Sequence, residues 1–377
     1  MRVKVLIPLQ KENLSVFNSI FDMICTLLEG ENIKYDKVYV NFLKGKKVID
    51  PRNVILESRE LVSYMQNEEK DNIFFTIDDY NLLRTIYGVN LNKKIIIWAH
   101  YFIGHRFIFR RYNQIDSKFS VSKWGKILNH LTGFVPIAFL PIIFRKYIEP
   151  LKKNFVVSQS VWTDLLLERI YSIQTMGLLP IPVESGMWQH YPEQKKEGVI
   201  VFLGNYSETD LNCLKVTLKL LKEYIQLSKI DYFGSEETGT LFSKEFDMPL
   251  NYLGKLSQEK LKESYQNHIL TICPIFNGNF EMVPIESILC GTPTITYIQP
   301  FMEISGNSEM IANILNQTEI KVKIINWKRI DTDLIDKERN KILSRMDVIN
   351  VRKSLVEYIM EALDISDIKL FRRKFNE

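Results

Sequence analysis

Residues Thr271–Thr296 read Thr-Ile-Cys-Pro-Ile-Phe-Asn-Gly-Asn-Phe-Glu-Met-Val-Pro-Ile-Glu-Ser-Ile-Leu-Cys-Gly-Thr-Pro-Thr-Ile-Thr. An apolar strand ends at Pro274, and Gly278 in the loop lets a backbone approach a ligand closely. A helix is expected from about Pro284 to Cys290, because proline suits the first helical turn. Gly291 ends it, and Thr294–Tyr297 forms the next strand. The start of such a helix offers unpaired N–H groups and a partial positive charge, which suits a phosphate. Glu286, expected in the first turn, could accept hydrogen bonds from paired ribose hydroxyls. The plainer reading of the same order is a βαβ unit in which Glu286 complements the helix dipole.

Outward from this run the same alternation continues. Upstream lie strands at Val199–Leu203, Ile230–Phe233, Asn251–Leu253 and Ile269–Cys273, with helices over Asp210–Leu227 and, capped by Ser257, up to Asn267. Pro180, Pro182, Gly186, Pro192 and the polar Glu193–Glu197 form a breaker-rich linker. Before it stands a second set of strands: Val3–Pro8, Lys37–Phe42, Asn53–Glu57, Ile73–Ile77, Lys94–Trp98 and Asn154–Ser158. Helical spacing of Val16, Ile20, Met23, Ile24 and Leu27 fits between the first two. Near-continuous apolar strands separated by helices indicate parallel sheets covered on both faces. The expectation is two α/β domains, 1–185 and 186–350, with a cleft between them, and a helix in 351–377 that packs back on the first domain.

This order of features resembles the C-terminal signature of family-4 (group 1) GT-B glycosyltransferases, which use nucleotide-activated sugars with retention. The resemblance rests on the Tyr252–Leu261 lead-in, on Val283-Pro284-Ile285-Glu286-Ser287 and on Cys290-Gly291-Thr292-Pro293. Asn154–Glu184 is similar to the same family's exit from its first domain, and His100 ends an apolar strand as a histidine does there. The resemblance implies a GT-B fold, two Rossmann-like domains with parallel sheets facing a central cleft. It implies that Glu286 binds the nucleotide ribose and that Met282, Val283 and Pro284 meet the diphosphate with their backbone. Gly278 and Asn279 fall in the donor-sugar loop, and His100 would face the sugar. The donor would be a UDP- or GDP-hexose, with no cofactor or metal, and the acceptor a glycan or lipid-linked glycan.

Three departures stand against the family pattern. Gly278 replaces the glutamate eight positions before the ribose glutamate, and Glu281 follows three residues later as the carboxylate assigned with His100 to catalysis. Gly204-Asn205-Tyr206-Ser207-Glu208-Thr209-Asp210 lacks the expected diphosphate cations, for which Lys215 or Lys255 could substitute. Leu9-Gln10-Lys11-Glu12-Asn13 lacks the glycine pair. An active divergent transferase and a degenerate GT-B protein that partners an active enzyme both accommodate these changes. A sugar-nucleotide epimerase shares enough of the core to remain a rival.

Composition excludes little else. The 377 residues carry a net charge of +4, and the four cysteines lack metal or disulfide spacing, which fits reduced thiols inside a cell. The opening Met-Arg-Val-Lys-Val-Leu-Ile-Pro reads as a strand rather than a signal peptide. No run approaches the roughly 18 apolar residues of a membrane span. Charge is concentrated in 101–153, where ten lysines and arginines face only Asp116 and Glu149 and surround the apolar Phe134–Phe144. Basic flanks about an apolar, aromatic segment suit peripheral docking on an anionic membrane, while core packing or a dimer contact explains the apolar run equally simply. No nucleic-acid recognition motif accompanies the basic residues. Asp78-Asp79, an acidic pair after a strand, reads as a helix cap.

Overall fold

The computed structural model describes residues 2–9, 14–42, 54–87, 93–99, 142, 144–191, 197–204, 208–225, 227, 229–245, 250–274, 282–298, 308–328 and 330–364. They form two compact units. The first takes the described residues of Met1–Phe102, Pro136–Pro182 and Val348–Glu377, the second those of Val183–Asp347.

The first unit is built on a parallel sheet of β1 (Val3–Leu9), β2 (Tyr35–Asn41), β3 (Val54–Glu57), β4 (Ile73–Ile77), β5 (Lys94–Ala99), β6 (Phe155–Ser158) and β7 (Gly177–Leu178), in the order 3-2-1-4-5-6-7. β1 and β4 are buried along their whole length, whereas edge strand β3 is largely exposed. That gradient is why the central strands read as unbroken apolar runs. Helices α1 (Leu14–Gly30), α2 (Leu61–Asn67), α3 (Tyr80–Ile86), α4 (Arg145–Lys153) and α5 (Val161–Tyr171) belong to this unit. Asp79 caps α3, its Oδ1 accepting from Leu82 N at 2.9 Å, so one of the acidic pair is a helix cap as expected.

The second sheet consists of β8 (Val199–Leu203), β9 (Ile230–Gly234), β10 (Leu250–Tyr252), β11 (Leu270–Cys273), β12 (Thr294–Thr296) and β13 (Ile311–Asn313), all parallel in the order 10-9-8-11-12-13. Its helices are α6 (Glu208–Tyr224), α7 (Glu236–Glu245), α8 (Gln258–Asn267), α9 (Met282–Leu289), α10 (Gln317–Trp327) and α11 (Thr332–Met346). The last helix, α12 (Val348–Asp364), returns to the first unit. Its Val351, Leu355 and Ile359 recur at helical spacing and are buried with Phe21, Ile24 and Leu28 of α1 and with Val5 and Ile7 of β1. Each such side chain contributes about 1.5–3 kcal/mol of burial.

Within the described part of the breaker-rich segment, Val183 and Trp188 are packed into the second unit. Val183 N donates to Met346 O at 2.7 Å, and Val183 pairs with Asp347 in a parallel bridge. Trp188 is 3% exposed, and its carbonyl accepts from Arg339 Nη1 at 2.9 Å. The chain therefore enters and leaves the second unit at adjoining points.

Candidate functional site

In an open parallel sheet, ligands gather at the carboxyl ends of the strands where the strand order reverses. In the second sheet that point lies between β8 and β11. β8 delivers Gly204 there, and β11 delivers Pro274. The edge is tied together by α7: Ser235 N donates to Leu203 O at 2.5 Å, and Thr238 Oγ1 donates to Gly204 O at 3.0 Å. Gly234 makes the close approach possible. Its φ is +108°, and a Cβ there would lie 2.2 Å from Leu203 O.

Helix α9 follows β11 and is the most buried helix of this edge. Val283, Pro284, Ile285, Ser287, Ile288 and Leu289 are buried, while Met282 and Glu286 are half-buried. Those two are four residues apart, so they form one stripe on one face. The helix starts at Met282, two residues before the sequence expectation, and Glu286 therefore stands in the second turn rather than the first. Pro284 permits the earlier start because the first N–H groups of a helix have no intrahelical partner to lose. Met282, Val283 and Pro284 thus form the first turn, with backbone N–H groups at Met282 and Val283.

Glu286 is the charged member of the stripe, and it is held. Tyr265 of α8 donates its hydroxyl to Glu286 Oε2 at 3.2 Å. Tyr265 is fully buried, with its ring centroid 6.1 Å from that of Trp188 and 6.4 Å from that of Phe233. Burial, and then the charge of Glu286, hold the Tyr265 hydroxyl well above its ordinary 10.0, so it remains a donor at neutral pH. Nothing in the sequence pairs residues 265 and 286; their contact arises from the packing of α8 on α9.

The far end of α9 is locked as firmly. Gly291 N donates to Ile288 O at 2.8 Å and Thr292 N to Ser287 O at 2.9 Å, the double closure of a Schellman turn. Gly291 has φ +73°, and a Cβ on it would lie 2.2 Å from His190 Nδ1. Ser287 Oγ donates to Thr292 O at 2.8 Å and lies 2.7 Å from Thr271 Oγ1, fixing the helix to β11. Thr292 Oγ1 donates to Tyr265 O at 2.6 Å, which ties the same turn to α8.

Of the residues assigned from the sequence, Glu286, Met282, Val283, Pro284 and Gly204 fall on this carboxyl edge. Lys255 is exposed in the bend between β10 and α8, beside Leu253 and Leu256, which pack on the cluster containing Val283 and Tyr265. Lys215 sits within α6 and is half-buried. His100, Asn205, Gly278, Asn279 and Glu281 lie outside the described residues.

No protein-family model matches the sequence, and no curated protein matches it at a significant level. Solved structures do match. Sucrose-phosphate synthase from Thermosynechococcus elongatus aligns with a TM-score of 0.63 at 11% identity over 100% of both chains. A glycosyltransferase from Rickettsia africae gives 0.62 at 13% identity, over 96% of this chain and 98% of that one. The lipopolysaccharide outer core galactosyltransferase WaaB gives 0.61 at 11% identity, over 96% and 99%. The chain thus has the GT-B fold, two Rossmann-like parallel sheets in series, as its sequence led one to expect.

Proposed function

We propose that the protein is a retaining glycosyltransferase that moves a hexose from a UDP- or GDP-sugar to a glycan or lipid-linked glycan. The observation that carries this reading is the Met282–Glu286 stripe: a buried helix that begins after the carboxyl end of β11 and carries one carboxylate, held by Tyr265, a turn later. Glu286 would accept from the ribose hydroxyls while the first turn of α9 meets the diphosphate. Retaining transfer asks for stabilisation of charge on the departing diphosphate, and oriented N–H donors supply it without a metal. Gly204 and Lys255 would border the donor, Asn205, Gly278 and Asn279 its loops, and His100 and Glu281 the reacting sugar. The kinship with family-4 enzymes belongs to the same proposal. WaaB, one of the similar structures, is named a galactosyltransferase, which agrees with a hexose donor.

Calorimetric titration with UDP, GDP and ADP tests the reading. One uridine or guanosine diphosphate should bind in the micromolar range, about −8 kcal/mol. Binding of none would favour a degenerate GT-B protein that partners an active enzyme.

The reading includes a peripheral membrane face. Among the described residues no helix is long and apolar enough to cross a membrane. Ile142 is 68% exposed, and Arg145 and Lys146 beside it are exposed while Tyr147, Ile148 and Leu151 turn into the unit. The remainder of 101–141 lies outside the described residues. Sedimentation with anionic vesicles should weaken on charge reversal of Arg110, Arg111, Arg145 and Lys146, and unchanged sedimentation would remove the membrane from the proposal.

A further inference from the structure

Transfer needs a second substrate, and the first unit has a carboxyl edge of the same kind. Its strand order reverses between β1 and β4, and β5 and β6 follow on one side. Two residues hang on the end of β5 from its two flanks: Asp78 N donates to Trp98 O at 3.1 Å, and Gln159 N donates to Ala99 O at 3.3 Å. Asp78 is 1% exposed and accepts from Tyr147 Oη at 2.6 Å. Ser160, next in the chain, caps α5 by accepting from Thr163 N at 3.2 Å.

Between these satisfied groups lies an unsatisfied pair. Gln159 is 1% exposed, and among the described residues neither its Oε1 nor its Nε2 has a hydrogen-bond partner. Ser158 Oγ, fully buried at the end of β6, is also without one. Native interiors rarely leave both ends of an amide unpaired, because each end keeps its full desolvation cost. Three such atoms on two consecutive residues, at the edge where the fold places ligands, call for a partner from outside the chain.

We infer that Gln159 is the floor of an acceptor subsite for a neutral, hydroxyl-rich ligand, a sugar offering a vicinal diol. One hydroxyl of a diol donates to Oε1 while its neighbour accepts from Nε2, which satisfies both ends of one amide. The amide carries no charge and so offers no ion pair to a phosphate or carboxylate, which fits a neutral ligand. This inference rests on the proposed transferase activity but concerns the other unit, so the two fail separately.

The test compares full-length protein with Gln159→Met and, should that variant fold poorly, Gln159→Leu. Saturation-transfer NMR is run with methyl α-D-glucopyranoside, methyl α-D-galactopyranoside and methyl α-D-mannopyranoside, with glucose 6-phosphate as the charged comparison. Nucleotide titration is repeated on each variant. At least one glycoside should bind the wild type, weaken about tenfold in the variants, and outcompete glucose 6-phosphate. Nucleotide affinity should not change, and Tm should be equal or higher, because an unpaired amide has been removed. Equal glycoside binding by wild type and variants, or none by the wild type, overturns the subsite whatever the nucleotide does. Preference for glucose 6-phosphate through Gln159 overturns the neutral class. Glycoside binding that depends on Gln159 in a protein that ignores nucleotides would uphold the subsite and sink the donor reading.

Discussion

In the second unit, Glu286, Ser287, Thr292, Tyr265 and Thr238 all have partners within the chain, and the C-terminal end of α9 is fixed. At the carboxyl edge of the first sheet, Asp78 is anchored but Gln159 and Ser158 are not. Each sheet is parallel and reverses its strand order once, so the difference lies in where the polar groups find satisfaction. A nucleotide diphosphate is a constant ligand that a preformed site can hold rigidly. An acceptor's hydroxyls can supply what the chain itself leaves out.

Substitutions can break that comparison from the firm side. Gly291→Val should do most damage, because a β-branched residue meets both φ +73° and the His190 ring. A loss of about 3 kcal/mol is expected, confined to the second unit. Hydrogen exchange should speed up across α9 and β12 while β1 and β4 keep their protection.

Alkali probes the buried acids of both units. Burial pushes the Cys25 thiol of the first unit from 9.0 up to about 12, and Tyr265 of the second stands well above 10.0. The folded state binds each proton more tightly, so each contribution is complete below the unfolded pKa and fades as pH rises above it. Burial raises the Cys213 thiol of the second unit and the Tyr171 hydroxyl of the first as well, so thermal scans should show stability falling from about pH 9 through the thiols and from about pH 10 through the tyrosines, by at most about 1.4 kcal/mol per pH unit per group. Cys25→Ala should flatten the lower onset and Tyr265→Phe the upper.

Smaller effects sharpen the picture of the donor edge. Tyr265→Phe keeps the ring and removes the hydroxyl that holds Glu286, so nucleotide affinity should fall by about 1 kcal/mol, roughly fivefold, while glycoside binding stays as it was. Thr238→Val frees the Gly204 carbonyl and should cost less than about 1 kcal/mol of affinity, read in the same titration.

How much of this could be read beforehand follows from the same physics. Ile73–Ile77 and Val199–Leu203 were legible to the residue because strands buried on both faces are apolar throughout. Gly177–Leu178 and Ile311–Asn313 were not, since two or three residues carry no period. The start of α9 was misplaced because proline is tolerated at its third position as well as its first. Tyr265 escaped notice because its partner is a helix away, and Gln159 because an unpaired group has no sequence signature. The ordered packing of Val183 and Trp188 was hidden by the prolines and glycine around them.

The central claim is that Glu286, held by Tyr265, reads the ribose of a nucleotide. Calorimetry with the favoured nucleoside diphosphate and its 2′,3′-dideoxy counterpart, on wild type and Glu286→Ala, tests it most directly. The wild type should prefer the ribose form by about tenfold or more, and the variant should bind both forms equally and weakly. A variant that still discriminates between the two as the wild type does would contradict the assignment of Glu286 and the donor site built on it.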